Sequence, residues 1–162
     1  MLHIFSDLEG IRIAIEMERR GEAFYRRAAR VSRSDETIAL LNALANDETN
    51  HRAEFERLYR NESGALSSAA YDDETNAYLS AIAAEFMFPE GLMALRSVGF
   101  EDPAAVLQNA IQSEKDSILF YTELTQHASD AHACGVFTEI ARQERGHLYR
   151  LQRQLEQLGN KP

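Results

Sequence analysis

The residues best suited to chemistry in this chain are glutamates and histidines at repeated spacings. Two Glu-x-x-His segments, at 48–51 and 144–147, each follow a lone glutamate by 30 positions. On a helix, side chains three apart point to nearly the same side, so each segment could offer a carboxylate and an imidazole to the same metal pair. Four carboxylates also balance the charge of two divalent ions. The spacing therefore predicts a binuclear metal site formed by Glu18, Glu48, His51, Glu114, Glu144 and His147.

The six candidate ligands belong to an internal repeat with an offset of 96 positions. That offset also places Phe24-Tyr25 on Phe120-Tyr121. A constant offset over this many positions indicates a duplicated helical hairpin. Each copy would carry half of the site.

Apolar periodicity predicts an all-α chain with four long helices, at about 7–31, 35–61, 103–127 and 131–158. Each start has a residue suited to an N-cap, and Gly159 is expected to end the last helix as its C′ residue. The three-residue loop at 32–34 makes the first two helices antiparallel neighbours. We expect one domain over 1–162, with two hairpins and a long crossover at about 62–102. The N-caps would be Ser6, Ser34, Asp102 and Asp130.

The crossover contains one further helix signal. Residues 73–88 are expected to form a helix ended by Pro89 and Gly91, with a loop at 63–68 before it and a short helical turn before Gly99. The predicted buried face consists of Tyr78, Leu79, Ile82 and Phe86.

All six candidate ligands lie within the apolar stripes of their helices. A carboxylate that faces a core costs several kcal/mol unless it is paired, protonated or metal-bound. The stripes contain no lysine or arginine, so metal is the economical partner. Asp47 and Asp116 are interpreted as solvated charges on the helix faces.

Composition narrows the class of protein. The net charge of −9 argues against nucleic acid or an anionic membrane surface as partner. The single cysteine, Cys134, excludes an intrachain disulfide or a four-cysteine metal module. The sequence has no run of about 18 apolar residues and no basic, apolar start typical of a secretion signal. We therefore expect a cytoplasmic protein.

On these segments the chain resembles the rubrerythrin-like branch of the ferritin-like superfamily. The resemblance rests on residues 18–25, 48–51, 114–121 and 144–147. It implies a ferritin-like four-helix bundle with two iron ions, although manganese or a mixed pair would also suit these ligands. By similarity, Glu48 and Glu144 would bridge the metals, Glu18 and Glu114 would be terminal ligands, and His51 and His147 would each cap one metal.

Two departures from rubrerythrin bear on function. Where the family has an additional carboxylate on the third helix, this chain has Ser117, whose repeat mate is Gly21. The four-cysteine rubredoxin-like module of the full-length family is missing too. The resemblance therefore implies a separate electron-donor protein, and by analogy a homodimer.

Three functions fit this pattern. The first is a di-iron oxidoreductase, a peroxidase or ferroxidase, that reduces hydrogen peroxide, or dioxygen with oxidation of Fe(II). The second is iron storage or delivery without turnover, and the third is a helical interaction protein with a vestigial site. Tyr25 and Tyr121 could hydrogen-bond the ligand carboxylates, as the resemblance favours, or could be core aromatics with their hydroxyls satisfied elsewhere.

Overall fold

The computed structural model describes residues 4–62, 66–87 and 100–160. Within them the chain forms five helices and no strand. The helices are α1 (Asp7–Val31), α2 (Asp35–Glu62), α3 (Asp73–Met87), α4 (Pro103–His127) and α5 (Ala131–Gly159). The four long helices therefore follow the prediction from the sequence to within one residue at each end.

The predicted N-caps are confirmed. Side-chain oxygens of all four cap residues accept from backbone N–H groups in the first turn of the helix that follows. Such groups have no partner within the helix, so each cap fixes where the helix begins. The predicted C′ role of Gly159 is wrong. It is the last residue of α5, Asn160 is the C-cap, and the described glycines have no positive φ.

The helices pack as two hairpins, α1 with α2 and α4 with α5, and the hairpins then pack against each other. Helix α3 lies against α4 and α1. Its buried face differs from the predicted one. Tyr78 is 41% exposed, whereas Leu79 and Ile82 are buried together with Thr75, Asn76 and Ala83. The side chain of Phe86 and the predicted turn before Gly99 lie outside the described residues.

The contacts of Asn76 explain why this polar residue lies on the inner face of α3. Its Oδ1 accepts from the backbone N–H of Phe5 at 2.7 Å, and its Nδ2 donates to the carbonyl of Tyr71 at 2.7 Å. A buried amide that satisfies two backbone groups offsets the cost of its own burial. This contact attaches the crossover to the start of α1.

The bundle has two apolar clusters, one at each end. One contains Phe5, Phe55, Phe120 and Phe137, and the other contains Phe24, Leu41, Leu107 and Leu151. In each of the four long helices, the candidate ligands fall between a residue of one cluster and a residue of the other. The fold therefore places the six polar side chains in a single layer across the middle of the bundle.

Candidate metal centre

The structure brings all six predicted ligands together. They are between 0% and 5% exposed, although every one is a glutamate or a histidine. Two groups of ligand atoms form, each with all its members within 4.8 Å of one another. One group contains Glu18 and His51, the other contains Glu114 and His147, and both contain Glu48 and Glu144.

Each imidazole turns its Nδ1 toward the acids. Nδ1 of His51 lies 3.3 Å from carboxylate oxygens of Glu18 and Glu144. Nδ1 of His147 lies 2.7 Å from Glu144 and 3.2 Å from Glu48. The two rings are stacked, with centroids 5.4 Å apart and planes 17° from parallel. The imidazoles therefore face one small volume from the same side.

The outer edge of each imidazole has a partner on the opposite hairpin. Nε2 of His51 lies 2.9 Å from Oε1 of Gln143, and Nε2 of His147 lies 3.2 Å from Oδ2 of Asp47. Asp47 is also paired with Arg150 at 2.8 Å. The interpretation of Asp47 as a solvated charge is therefore incomplete, because its side chain is 38% exposed but also contacts a buried histidine.

Two buried tyrosines contact the layer in a crossed arrangement. The hydroxyl of Tyr25 in α1 donates to Glu114 in α4, and that of Tyr121 in α4 donates to Glu18 in α1. Of the two interpretations left open by the sequence, the contact with the glutamates is the one observed. Burial, followed by the negative charge of the contacted glutamate, raises the pKa of each tyrosine well above its usual value. Both hydroxyls therefore keep their protons and remain donors.

A cavity of about 420 Å³ opens beside the layer between α2 and α5. His51 and Gln143 form part of its wall, together with Glu54, Val136, Glu139 and Ile140. An added Cβ at Gly135, another lining residue, would meet nothing within 4 Å. The cavity reaches the cluster at the imidazole of His51.

Comparisons with known proteins agree with this geometry. The Rubrerythrin family model matches residues 105–162. A crystal structure described as a ferritin-like diiron-carboxylate protein from Thermotoga maritima is 26% identical to this chain, with a TM-score of 0.72 over 95% of this chain and 97% of that chain. No curated protein matches the chain.

The chain is a rubrerythrin-like member of the ferritin-like superfamily. Its fold and its buried cluster of carboxylates and imidazoles indicate a binuclear metal site. No helix among the described residues of this rubrerythrin-like protein is long and apolar enough to cross a membrane.

The buried atoms of the cluster that have no hydrogen-bond partner fit a metal site. Buried groups normally have hydrogen-bond partners. In the described part of the chain, the buried side-chain atoms without one are Oε2 of Glu18, Oε1 of Glu48, both carboxylate oxygens of Glu144, and Nδ1 of His51 and His147. Each Nδ1 lies between 2.7 and 3.3 Å from carboxylate oxygens of this set, but none of these contacts has hydrogen-bond geometry. Unbonded oxygen and nitrogen atoms that converge are the donor set that divalent transition metals take.

The pKa shifts within the cluster show the electrostatic cost of burying four acids close together. Burial, followed by the charge of Glu144, raises the pKa of Glu48 well above its usual value and that of Glu114 to about 8. Burial alone would lower the pKa of His51, but the nearby carboxylates of Glu144 and Glu18 outweigh it and raise the pKa to about 10. Burial would likewise lower the pKa of His147, but the carboxylates of Glu114, Glu144 and Glu48 outweigh it and raise the pKa. Burial would raise the pKa of Glu144, but the two imidazoles lower it. Protons on the imidazoles and on some acids therefore balance the charge of the cluster.

Asp47 and Gln143 are the residues that the sequence analysis missed. They carried a usable signal, since Asp47 immediately precedes Glu48, Gln143 immediately precedes Glu144, and the repeat offset superimposes one on the other. Repeat mates beside predicted ligands would have been candidates for contact with those ligands.

Proposed function

We propose that this rubrerythrin-like protein is a non-haem di-iron oxidoreductase that reduces hydrogen peroxide to water. The observation that supports it is the pair of ligand groups that share two glutamates within one buried layer. Two sites with common carboxylates would hold their metals close together. Metals so close can act on the same small molecule.

The proposed ligand roles follow from which groups each residue joins. Glu48 and Glu144 belong to both groups and would bridge the metals. The ligand set of one metal would be completed by a carboxylate oxygen of Glu18 and Nδ1 of His51. The ligand set of the other would be completed by the same atoms of Glu114 and His147. A mixed set of this kind suits iron, and manganese as well.

When bound, two ferrous ions supply one electron each, so that one peroxide molecule and two protons give two waters. The chain's own residues keep the site dry and fixed. The apolar clusters on either side exclude bulk water, and Tyr25 and Tyr121 hold carboxylate oxygens of Glu114 and Glu18 in place. The cavity beside His51 is large enough for a small oxidant to approach.

Electrons for the next cycle would come from a separate donor protein, because a chain with one cysteine has no four-cysteine iron module of its own. Dioxygen is the second candidate oxidant. Peroxide and dioxygen belong to the same proposal, since the reduction of either would require the same pair of reducing metals.

The proposal is tested by peroxide consumption by ferrous-loaded protein. Glu144→Ala removes a ligand that both metals would share, so we expect the rate to fall by more than about 100-fold. Glu156→Ala, on the exposed face of the same helix, is the control and should retain the rate. Equal rates for wild type and Glu144→Ala would exclude the enzymatic proposal.

Iron stoichiometry separates this proposal from storage. A di-iron enzyme should stop near two irons per chain, whereas a storage protein should continue to take up iron. Uptake of many irons with no peroxide turnover would favour storage or delivery. Refusal of Fe(II) by purified protein would favour a vestigial site.

A further inference from the structure

The two halves of the cluster differ at the residues behind the imidazoles. Asp47 and Gln143 occupy the same position in the repeat, and each contacts the histidine of the other hairpin. One of them is a carboxylate and the other a neutral amide. The duplication therefore places the two contacts at equivalent positions, but the group that accepts from the histidine differs between them.

Hydrogen-bond roles fix where each imidazole carries its outer proton. A carboxylate can only accept, so the contact between Asp47 and His147 requires N–H at Nε2 of His147. Gln143 donates through its Nε2 to Oε1 of Glu139 at 2.8 Å, which leaves its Oε1 facing His51. That oxygen also accepts, so His51 must likewise carry N–H at Nε2. Both imidazoles therefore present Nδ1 to the cluster.

We propose that Asp47 and Gln143 are positioning residues that orient the two imidazoles and make the two metal positions inequivalent, with tighter binding at the His147 position. This inference rests on the proposed binuclear site. A histidine that donates to a carboxylate is a stronger metal ligand than one that donates to an amide, because the negative acceptor increases electron density on the ring. The His147 position has the stronger ligand, and the His51 position faces the cavity.

The neighbours of each acceptor reduce this difference without removing it. Arg150 pairs with the same oxygen of Asp47, but it is 40% exposed, and solvent weakens an ion pair of that kind. On the other side, Glu139 polarises the amide of Gln143, but it is itself paired with Arg142 and is also exposed. The carboxylate in direct contact with His147 therefore has the larger effect. We expect a difference of about tenfold between the two metal affinities.

Cobalt(II) alone is a suitable probe, because it tests binding without turnover. Asp47→Asn keeps an oxygen acceptor and removes only the charge, and Gln143→Glu adds the charge on the other side. Titration should show two Co(II) per wild-type chain with unequal dissociation constants. We expect Asp47→Asn to weaken the tighter step by about 10–100-fold, and Gln143→Glu to strengthen the weaker step. Glu56→Gln removes an acid elsewhere on α2 and should change neither step.

Proton NMR of the Co(II) protein identifies which half changes, a readout that a merely structural role would not move. Each bound imidazole should give one exchangeable, strongly shifted signal from its Nε2 proton. Asp47→Asn should move one of these signals and Gln143→Glu the other. If wild type binds no Co(II), the proposed site fails and this inference fails with it. If wild type binds two but both variants leave both signals and both constants unchanged, this inference alone is overturned.

Discussion

The two hairpins of the bundle agree where side chains face the centre of the metal layer and differ where they face away from it. All three ligand positions, and the tyrosine that donates across the bundle, are the same in both copies. Around them the copies diverge, for instance Asp47 against Gln143 and Gly21 against Ser117. The ligand layer constrains residue type by chemistry, whereas its surroundings need only fill space and satisfy local hydrogen bonds.

The largest difference lies at the helix starts, far from the cluster. Asp7 begins α1, is 1% exposed, and accepts from the hydroxyl of Tyr71 and from both the backbone N–H and the hydroxyl of Ser129. Burial and the hydrogen bond to Asp7 raise the pKa of Tyr71, so its hydroxyl stays a donor. The repeat mate of Asp7 is Pro103, which is exposed. Asp7 therefore connects the first hairpin to both the crossover and the loop between α4 and α5.

Replacing these mates should have very unequal effects on stability. Asp7→Ala leaves three donors without their acceptor, so we expect the free energy of unfolding to fall by about 2–4 kcal/mol. Pro103→Ala should change it by about 1 kcal/mol or less, since an exposed first-turn proline contributes mainly through the unfolded chain. Urea unfolding measures the change in both variants, and m-values equal to that of wild type would show that stability alone has changed. Equal losses in the two variants would mean that the contacts of Asp7 contribute little.

The two hairpins also differ in the space beside the buried glutamates. A Cβ added at Gly21 would lie 2.6 Å from Oε2 of Glu48, so the first hairpin needs a glycine where the second accepts Ser117. The obstructed atom is the end of a flexible side chain, which can move at low cost in stability. A proposed ligand oxygen would be displaced, however.

Gly21→Ala should therefore separate stability from metal binding. We expect metal affinity to fall by about 10–100-fold, whereas unfolding of the protein without added metal should change little or gain up to about 1 kcal/mol from the better helix former. Ser117→Ala, which removes only a hydroxyl, should change affinity by less than about threefold. Metal titration alongside urea unfolding distinguishes the two. If both variants bind metal as wild type does, the close approach at Gly21 has no role in the site.

Much of the fold could be predicted because its determinants are local. The helix starts follow from cap residues such as Ser6 and Asp130, and the apolar stripes follow from the helical period. The inner face of α3 could not be predicted in the same way. Asn76 is buried because its side chain bonds to the backbone of Phe5 and of Tyr71, and Tyr78 is exposed although its type is typical of cores. Those partners are set by tertiary packing.

The site shows the same division. Glu18, Glu48 and their mates could be predicted because a buried acid is costly and a repeated one is unlikely to be accidental. The crossed contacts of Asp47 and Gln143 could not be read from either helix alone. They depend on the angle and height at which α2 and α5 pack, and helical periodicity does not fix those quantities. Knowledge of the repeat reduces the candidates, but only the packed bundle shows which acceptor reaches which histidine.

The smallest expected effects come from the tyrosines, where the hairpins are most alike. Tyr25→Phe and Tyr121→Phe each remove one buried hydroxyl that donates to a glutamate of the opposite hairpin. Loss of one such hydrogen bond leaves the other ligand contacts in place, so we expect metal affinity to fall by about 3–10-fold in each variant. Because the two contacts are related by the repeat, the two variants should agree within about twofold. Tyr59→Phe, which removes an exposed hydroxyl bonded to Arg12, is the control and should bind metal as wild type does. A large effect in one tyrosine variant and none in the other would show that the divergence between the hairpins extends into the ligand layer itself.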